Sequence, residues 1–209
     1  MKHDSHSVAI IDYGVGNHRS VFNAMKLLGI PASVTADPDT ITSSTHLILP
    51  GVGAFNEGME GLRERGLIEL LSEEVLNKKK DILGICLGMQ LIASEGFEYG
   101  HFEGLGFIKG KVIKLDAESF GYRLPHIGWN DVHIVGERNI MKGFDHDPIF
   151  YFVHSYHFVP EDETVIAGIC DYGQDFAALV ESENVFGAQF HPEKSHNDGM
   201  QILKNFLNI

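Results

Sequence analysis

The ten residues Asp81-Ile82-Leu83-Gly84-Ile85-Cys86-Leu87-Gly88-Met89-Gln90 join a short apolar run to an amphipathic stretch, with a cysteine at the joint and a glycine two residues to either side. The run reads as a buried strand and the stretch after it, Leu87 to Ser94, as a helix, so the chain must turn sharply at Cys86. Such a turn forces its central residue into a strained conformation, and flanking glycines remove side chains that would clash across it. A strand that feeds a helix in this way belongs to a layered α/β sheet.

The rest of the first half agrees. Short apolar runs alternate with longer amphipathic stretches: Val8 to Ile11, Arg19 to Leu28, His46 to Leu49, then Asn56 to Asn77 before the run that leads to Cys86. That alternation predicts parallel βαβ units. Asn17 is a candidate N-cap and Gly29-Ile30-Pro31 a helix stop. After Gly104 the texture becomes strand-like, over Phe107 to Leu115, Val132 to Val135, Phe150 to Val153, Val165 to Cys170, Ala177 to Val180 and Val185 to Phe190. These runs predict hairpins and antiparallel additions to the sheet. A last helix is expected over Asp198 to Leu207, with Met200, Leu203, Phe206 and Leu207 on one face. The expectation is one three-layer α/β domain over residues 1–209, with a mostly parallel central sheet, helices on both faces, a nucleophile elbow at Cys86, and residues 1–6 as a disordered extension.

Charge narrows the partners. With a net charge of -13, the chain is repelled by nucleic acid and anionic lipid, and no basic run offsets this. Lys78, Lys79 and Lys80 form the densest basic cluster, and they read as the charged end of a helix. No signal peptide or membrane-spanning run can be drawn. Two cysteines far apart suit a reducing cytoplasm and give neither a disulfide scaffold nor a zinc motif. A cytoplasmic protein is expected.

The elbow aims the positive end of its helix at the Cys86 sulfur, which favours a reactive thiolate. The plainer reading is a buried cysteine packing as a small hydrophobe, and that reading fits Cys170, which sits in an apolar strand without an elbow. A thiolate needs a proton partner. His191-Pro192-Glu193, at the end of a strand, supplies a histidine and a carboxylate that fixes its tautomer. His154, His157, His191 and His196 could instead suggest a metal, but ligand-grade spacing is missing, and a zinc-deaminase reading lacks its Pro-Cys-x-x-Cys pair. Pro50-Gly51-Val52-Gly53 ends a strand at the same sheet edge. Gly51, Val52 or Gly53 can turn an N–H toward an oxyanion, with the N–H of Leu87 as second donor. Which of the three donates is left open. Neither Gly14-Val15-Gly16 nor Gly51-Val52-Gly53 makes a dinucleotide loop, since Arg19 and Asn56 stand where a third glycine is required.

Together Gly84-Ile85-Cys86-Leu87-Gly88-Met89-Gln90 and His191-Pro192-Glu193 resemble the class I, or triad, glutamine amidotransferases. Five further segments resemble the glutaminase subunits of imidazole glycerol phosphate synthase across nearly the whole chain. They are Ile11 to Asn17, Leu49 to Phe55, Pro125 to Asn130, Tyr151 to Tyr156 and Gln189 to Ser195. The resemblance implies glutamine as substrate, held by Gln90, Ser155 and Tyr156, with Glu98 for the amino group. It implies a heterodimer with a (β/α)8-barrel cyclase, HisF, in histidine biosynthesis, and an interface containing Asn17, Trp129, Tyr151 and Lys194. No cofactor or metal is implied. His18 stands where the family usually has leucine, and Ala93 to Phe97 is less acidic than usual. Ammonia released in bulk water would be protonated and lost to chemistry, which itself argues for a synthase partner. Alternatives are the same glutaminase feeding a synthase of cell-surface sugars, a cysteine hydrolase or peptidase, and a non-enzymatic binding module.

Overall fold

A computed structural model of the chain describes residues 6–209. The expected disordered extension therefore lies outside the described residues, except for His6, whose ring tilts against that of His46.

The first half folds as β1 (Val8–Ile11), α1 (His18–Leu27), β2 (Ala32–Thr35), α2 (Pro38–Ser43), β3 (His46–Gly51), α3 (Phe55–Glu64), α4 (Leu67–Ser72), β4 (Asp81–Cys86) and α5 (Leu87–Leu91). β1 pairs in parallel with β2 and β3, and β3 with β4. Asn17 precedes α1 but its side chain makes no capping hydrogen bond. The stop at Gly29 is a Schellman turn: Gly29 has φ +73°, its N–H donates to the Lys26 carbonyl, and the Ile30 N–H donates to that of Met25. The amphipathic stretch from Asn56 to Asn77 is not one helix. Gly66, at φ +65°, separates α3 from α4, and α4 runs into a π-helical turn over Glu73–Asn77. That turn buries Glu74, and Lys78 and Lys80 both reach back to its carboxylate, at 2.6 and 2.7 Å. The basic cluster is thus partly consumed by a buried acid.

The second half contributes β5 (Glu95–Gly96), β6 (Phe102–Glu103), β7 (Gly110–Lys114), β8 (His126–Asp131), β9 (His133–Ile134), β10 (Ile149–His154), β11 (Tyr156–Pro160), β12 (Ile166–Asp171), β13 (Asp175–Ser182), β14 (Val185–Ala188) and α6 (His196–Leu207). The central sheet has eight strands in the order β2-β1-β3-β4-β14-β13-β12-β9. Its parallel part runs from β2 to β14, and β13, β12 and β9 add antiparallel. The expected α/β architecture is present, but not every strand-like run joins this sheet. β8 and β10 form a separate antiparallel ribbon, and β11, β7, β5 and β6 a third sheet.

Alternation along the strands divides the core in two. Val8 and Ile10 face α1 and α6 on one side, while Ala9 and Ile11 face α3, α4 and α5 on the other. α6 buries Ile202, Leu203, Phe206 and Leu207. Each such side chain contributes about 1.5–3 kcal/mol when removed from water. Two rigid layers therefore clamp β4, and the residue at its carboxyl end is held wherever the sheet puts it.

Candidate active site

Cys86 is the last residue of β4 and has φ 55° and ψ -109°, outside the region side chains prefer. Holding a non-glycine residue there costs on the order of 1–3 kcal/mol. The flanking glycines explain how the turn closes. A Cβ on Gly88 would overlap the Leu49 carbonyl oxygen, and one on Gly84 would come within 2.6 Å of the Gly88 carbonyl oxygen. Only bare Cα atoms let α5 rise this close to β3 and β4. α5 is shorter than the Leu87 to Ser94 stretch predicted, ending at Leu91. Its carboxyl side is cut off by the returning chain: N–H groups of Gly104, Leu105, Gly106 and Ile108 take the carbonyls of Ser94, Leu91, Ala93 and Ile92.

Cys86 opens into a cavity of about 470 Å³. Val52, Gly53, Leu87, Gln90, Glu98, Ser155 and Tyr156 also line it, so residues from four separate segments converge there. Gly51 does not line the cavity. It sits behind it, paired with Cys86 in the β3–β4 register. Among the described residues the N–H groups of Val52 and Gly53 make no hydrogen bond, which leaves them free to serve an oxyanion. Glu98 accepts the Phe55 N–H at 3.0 Å and so ties the start of α3 to the cavity wall. Burial raises its carboxyl pKa, the Glu57 charge adds to this, and the Phe55 N–H opposes it.

His191 and Glu193 stand just beyond β14. His191 Nδ1–H donates to Glu193 Oε1 at 2.9 Å, with both side chains almost fully buried. That bond assigns a proton to Nδ1 and leaves Nε2 without a hydrogen-bond partner, free to exchange a proton with a neighbour. Burial pushes His191 down, but the neighbouring Cys86 and the hydrogen bond and charge of Glu193 outweigh it and raise the pKa to about 9. The ring is thus held as an imidazolium at neutral pH. Its backbone is held as well: the His191 N–H donates to the Tyr151 carbonyl, and Ser195 Oγ donates to the His191 carbonyl while accepting the Tyr151 N–H.

Behind the cavity runs a polar chain that the sequence reading missed. Gln189 Nε2 points at Cys86 Sγ at 3.9 Å, and its Oε1 accepts from Gln90 Nε2 at 3.1 Å. Gln90 Nε2 also donates to the Tyr156 carbonyl, which accepts in turn from His154 Nδ1 at 2.9 Å. His154 Nε2 must therefore accept from His126 Nδ1, 3.1 Å away. Burial holds both histidines well below their usual pKa, at about 3 and about 4, so the pair is neutral. The only signal in sequence was the Gln189 that precedes Phe190-His191. Cys170, 1% exposed, has its thiol pushed up to about 12 by burial and by neighbouring aspartates.

Among the described residues no group of three or more His, Cys, Asp or Glu is placed to hold a metal. Trp129, Tyr151 and Lys194 come together on the surface, with Trp129 edge-on to Tyr151 at 5.8 Å and Lys194 Nζ 5.6 Å from the Tyr151 ring centre. His196 stacks on Trp129 at 4.9 Å. Asn17, at the start of α1, makes none of these contacts.

This geometry agrees with what the chain is similar to. The model of the class-I glutamine amidotransferases matches residues 9–209. The chain belongs to the class-I glutamine amidotransferase family. It is a glutamine amidotransferase enzyme. The imidazole glycerol phosphate synthase subunit HisH of Pelagibacter ubique is 44% identical over 207 residues, covering 97% of this chain and 100% of that protein. The subunit HisH 2 of Pseudomonas aeruginosa is 45% identical over 202 residues, covering 97% of this chain and 99% of its own length. A crystal structure of a glutamine amidotransferase superposes with a TM-score of 0.75 at 23% identity, covering 96% of this chain and 97% of that one, and so shares the amidotransferase fold. No helix among the described residues is long and apolar enough to cross a membrane.

Proposed function

We propose that the chain, as one amidotransferase domain, is the glutaminase subunit of an imidazole glycerol phosphate synthase. It hydrolyses glutamine and hands ammonia to a (β/α)8-barrel cyclase in histidine biosynthesis. The observation that carries this reading is the identity of 44% to HisH over 97% of this chain and the whole of that protein. Both relatives reported above bear that name, and nothing in them favours a synthase of cell-surface sugars.

The reaction starts as the Cys86 thiolate attacks the glutamine carboxamide carbon. The tetrahedral oxyanion is held by the Leu87 N–H and by one N–H of the Gly51–Gly53 segment. The His191 imidazolium gives its proton to the departing nitrogen, so ammonia leaves neutral, and Glu193 keeps the ring oriented. Water, deprotonated by His191, then cleaves the glutamyl thioester and restores Cys86. Glu98 and the backbone around Ser155 and Tyr156 are suited to hold the amino acid end. Gln90 is suited to a wall role, since its Nε2 is already spent on two internal hydrogen bonds. Trp129, Tyr151, Lys194 and Asn17 are the proposed docking residues for the cyclase, with no part for nucleic acid or membrane, and the cytoplasm is the proposed compartment.

The test measures glutamate release by the chain with and without the cyclase and its nucleotide substrate. The pair is expected to be strongly stimulated. Cys86→Ala should lose glutamine-dependent synthesis while the complex still uses ammonium salts. Loss of both would make Cys86 a structural residue and remove the mechanism.

A further inference from the structure

Among the buried polar groups without a hydrogen-bond partner, one lies directly behind the cavity. Tyr13 follows β1, is fully buried, and its hydroxyl has no hydrogen-bond partner. The hydroxyl lies against Gly51. A Cβ on Gly51 would overlap it, and would come within 2.8 Å of Leu87 Cβ on the other side. The Tyr13 hydroxyl thus packs against Gly51 with Leu87 close by, next to the backbone segments proposed to supply the oxyanion donors, and Gly51 is paired with Cys86. Burial, and then the charge of Cys86, raise its pKa far above the usual range, so the phenol keeps its proton and is available as a donor.

A buried donor without an acceptor destabilises the state in which it is found, which favours any state that brings an acceptor to it. The turn after β3 can do so. Gly51 and Gly53 carry no side chain, Gly53 is at φ +107°, and Val52 is 41% exposed, so no core side chain is dragged by a rotating peptide. The N–H and C=O of one peptide point in opposite directions. A peptide that turns its N–H into the cavity therefore turns its C=O into the wall, where Tyr13 stands.

We propose that Tyr13 is a positioning residue for the oxyanion hole. Its hydroxyl donates to a carbonyl of the 50–53 turn in the state in which that turn offers an N–H to the tetrahedral intermediate. This inference rests on the glutaminase reading of the site and deepens it.

Tyr13→Phe tests it in the complex with the cyclase and its substrate. The variant should lose about tenfold or more in kcat for glutamine hydrolysis, as removal of an oxyanion contact does, with KM for glutamine nearly unchanged. Synthesis from ammonium salts should be unaffected. Thermal unfolding of the free chain should be unchanged or raised, because the hydroxyl removed has no partner there. A kcat equal to wild type would overturn the proposal, as would a melting temperature that falls together with kcat, the mark of a packing defect. A wild-type complex that releases no glutamate would instead overturn the functional reading, and Tyr13 with it.

Discussion

His191 Nδ1 and Glu193 Oε1 stand 2.9 Å apart with 2% and 1% of their side chains exposed. A carboxylate this dry fixes the ring tautomer and favours its charged form. The pair is in place in the free chain, so the acid proposed for the reaction is oriented before substrate arrives.

The pH dependence follows. Because His191 is raised from 6.5 to about 9, its contribution to stability is complete below pH 6.5 and is lost as pH rises through about 9. Melting temperature should fall across that window, and kcat/KM for glutamine should fall on its alkaline side as the general acid deprotonates. Glu193→Gln should move the alkaline limb to lower pH and reduce kcat by roughly 10²–10⁴. An unmoved limb would take Glu193 out of the base's control.

Thiol labelling separates the two cysteines. Cys86 faces the cavity, whereas Cys170 is buried in β12 with its thiol pushed up to about 12. Iodoacetamide at neutral pH should label Cys86 and leave Cys170 unmodified in the folded chain, read by peptide mass spectrometry. Equal labelling would contradict the contrast between an elbow thiol and a core thiol.

The elbow glycines are required by backbone contact, so their replacement should be costly. Gly88→Ala would drive a methyl group into the Leu49 carbonyl, with backbone on both sides unable to move aside. A loss of about 1–3 kcal/mol or more is expected in urea unfolding. Gly66→Ala has open space around it and meets only the left-handed backbone cost, of about 1–2 kcal/mol. Similar melting of Gly88→Ala and wild type would mean that the strand–helix junction is looser than this packing implies.

What the sequence made legible was local. The elbow, the His-Pro-Glu turn and the two glycines after β3 are short motifs whose backbone needs can be read from neighbours in the chain. The end of α5 was not, because it is set by the segment 104–108 folding back onto its carbonyls. Nor was the line from Gln189 through Gln90 to His154 and His126, whose members come from α5, β8, β10 and the segment after β14 and meet only once the sheets are stacked. Tyr13 was visible as a letter in a motif, but the packing of its hydroxyl against Gly51 depends on the β1–β3 pairing.

The proposed docking residues around Trp129 connect to the backbone that holds His191. Trp129 is 48% exposed and lies edge-on to Tyr151. Tyr151, through its backbone, accepts the His191 N–H and donates to Ser195. A partner seated on Trp129 would therefore press on the strand that holds the base, one residue pair away from the chemistry. Tryptophans are frequent anchors of protein interfaces, and truncating such an anchor commonly costs about 2 kcal/mol or more. Trp129→Ala should weaken cyclase binding by more than about tenfold in titration calorimetry. Its rate of Cys86 labelling without the cyclase should match wild type, since Trp129 does not line the cavity into which Cys86 opens. Unchanged affinity would move the docking face elsewhere. A changed labelling rate in the free chain would mean that Trp129 shapes the site itself, and that the link between docking and catalysis is already present before any partner arrives.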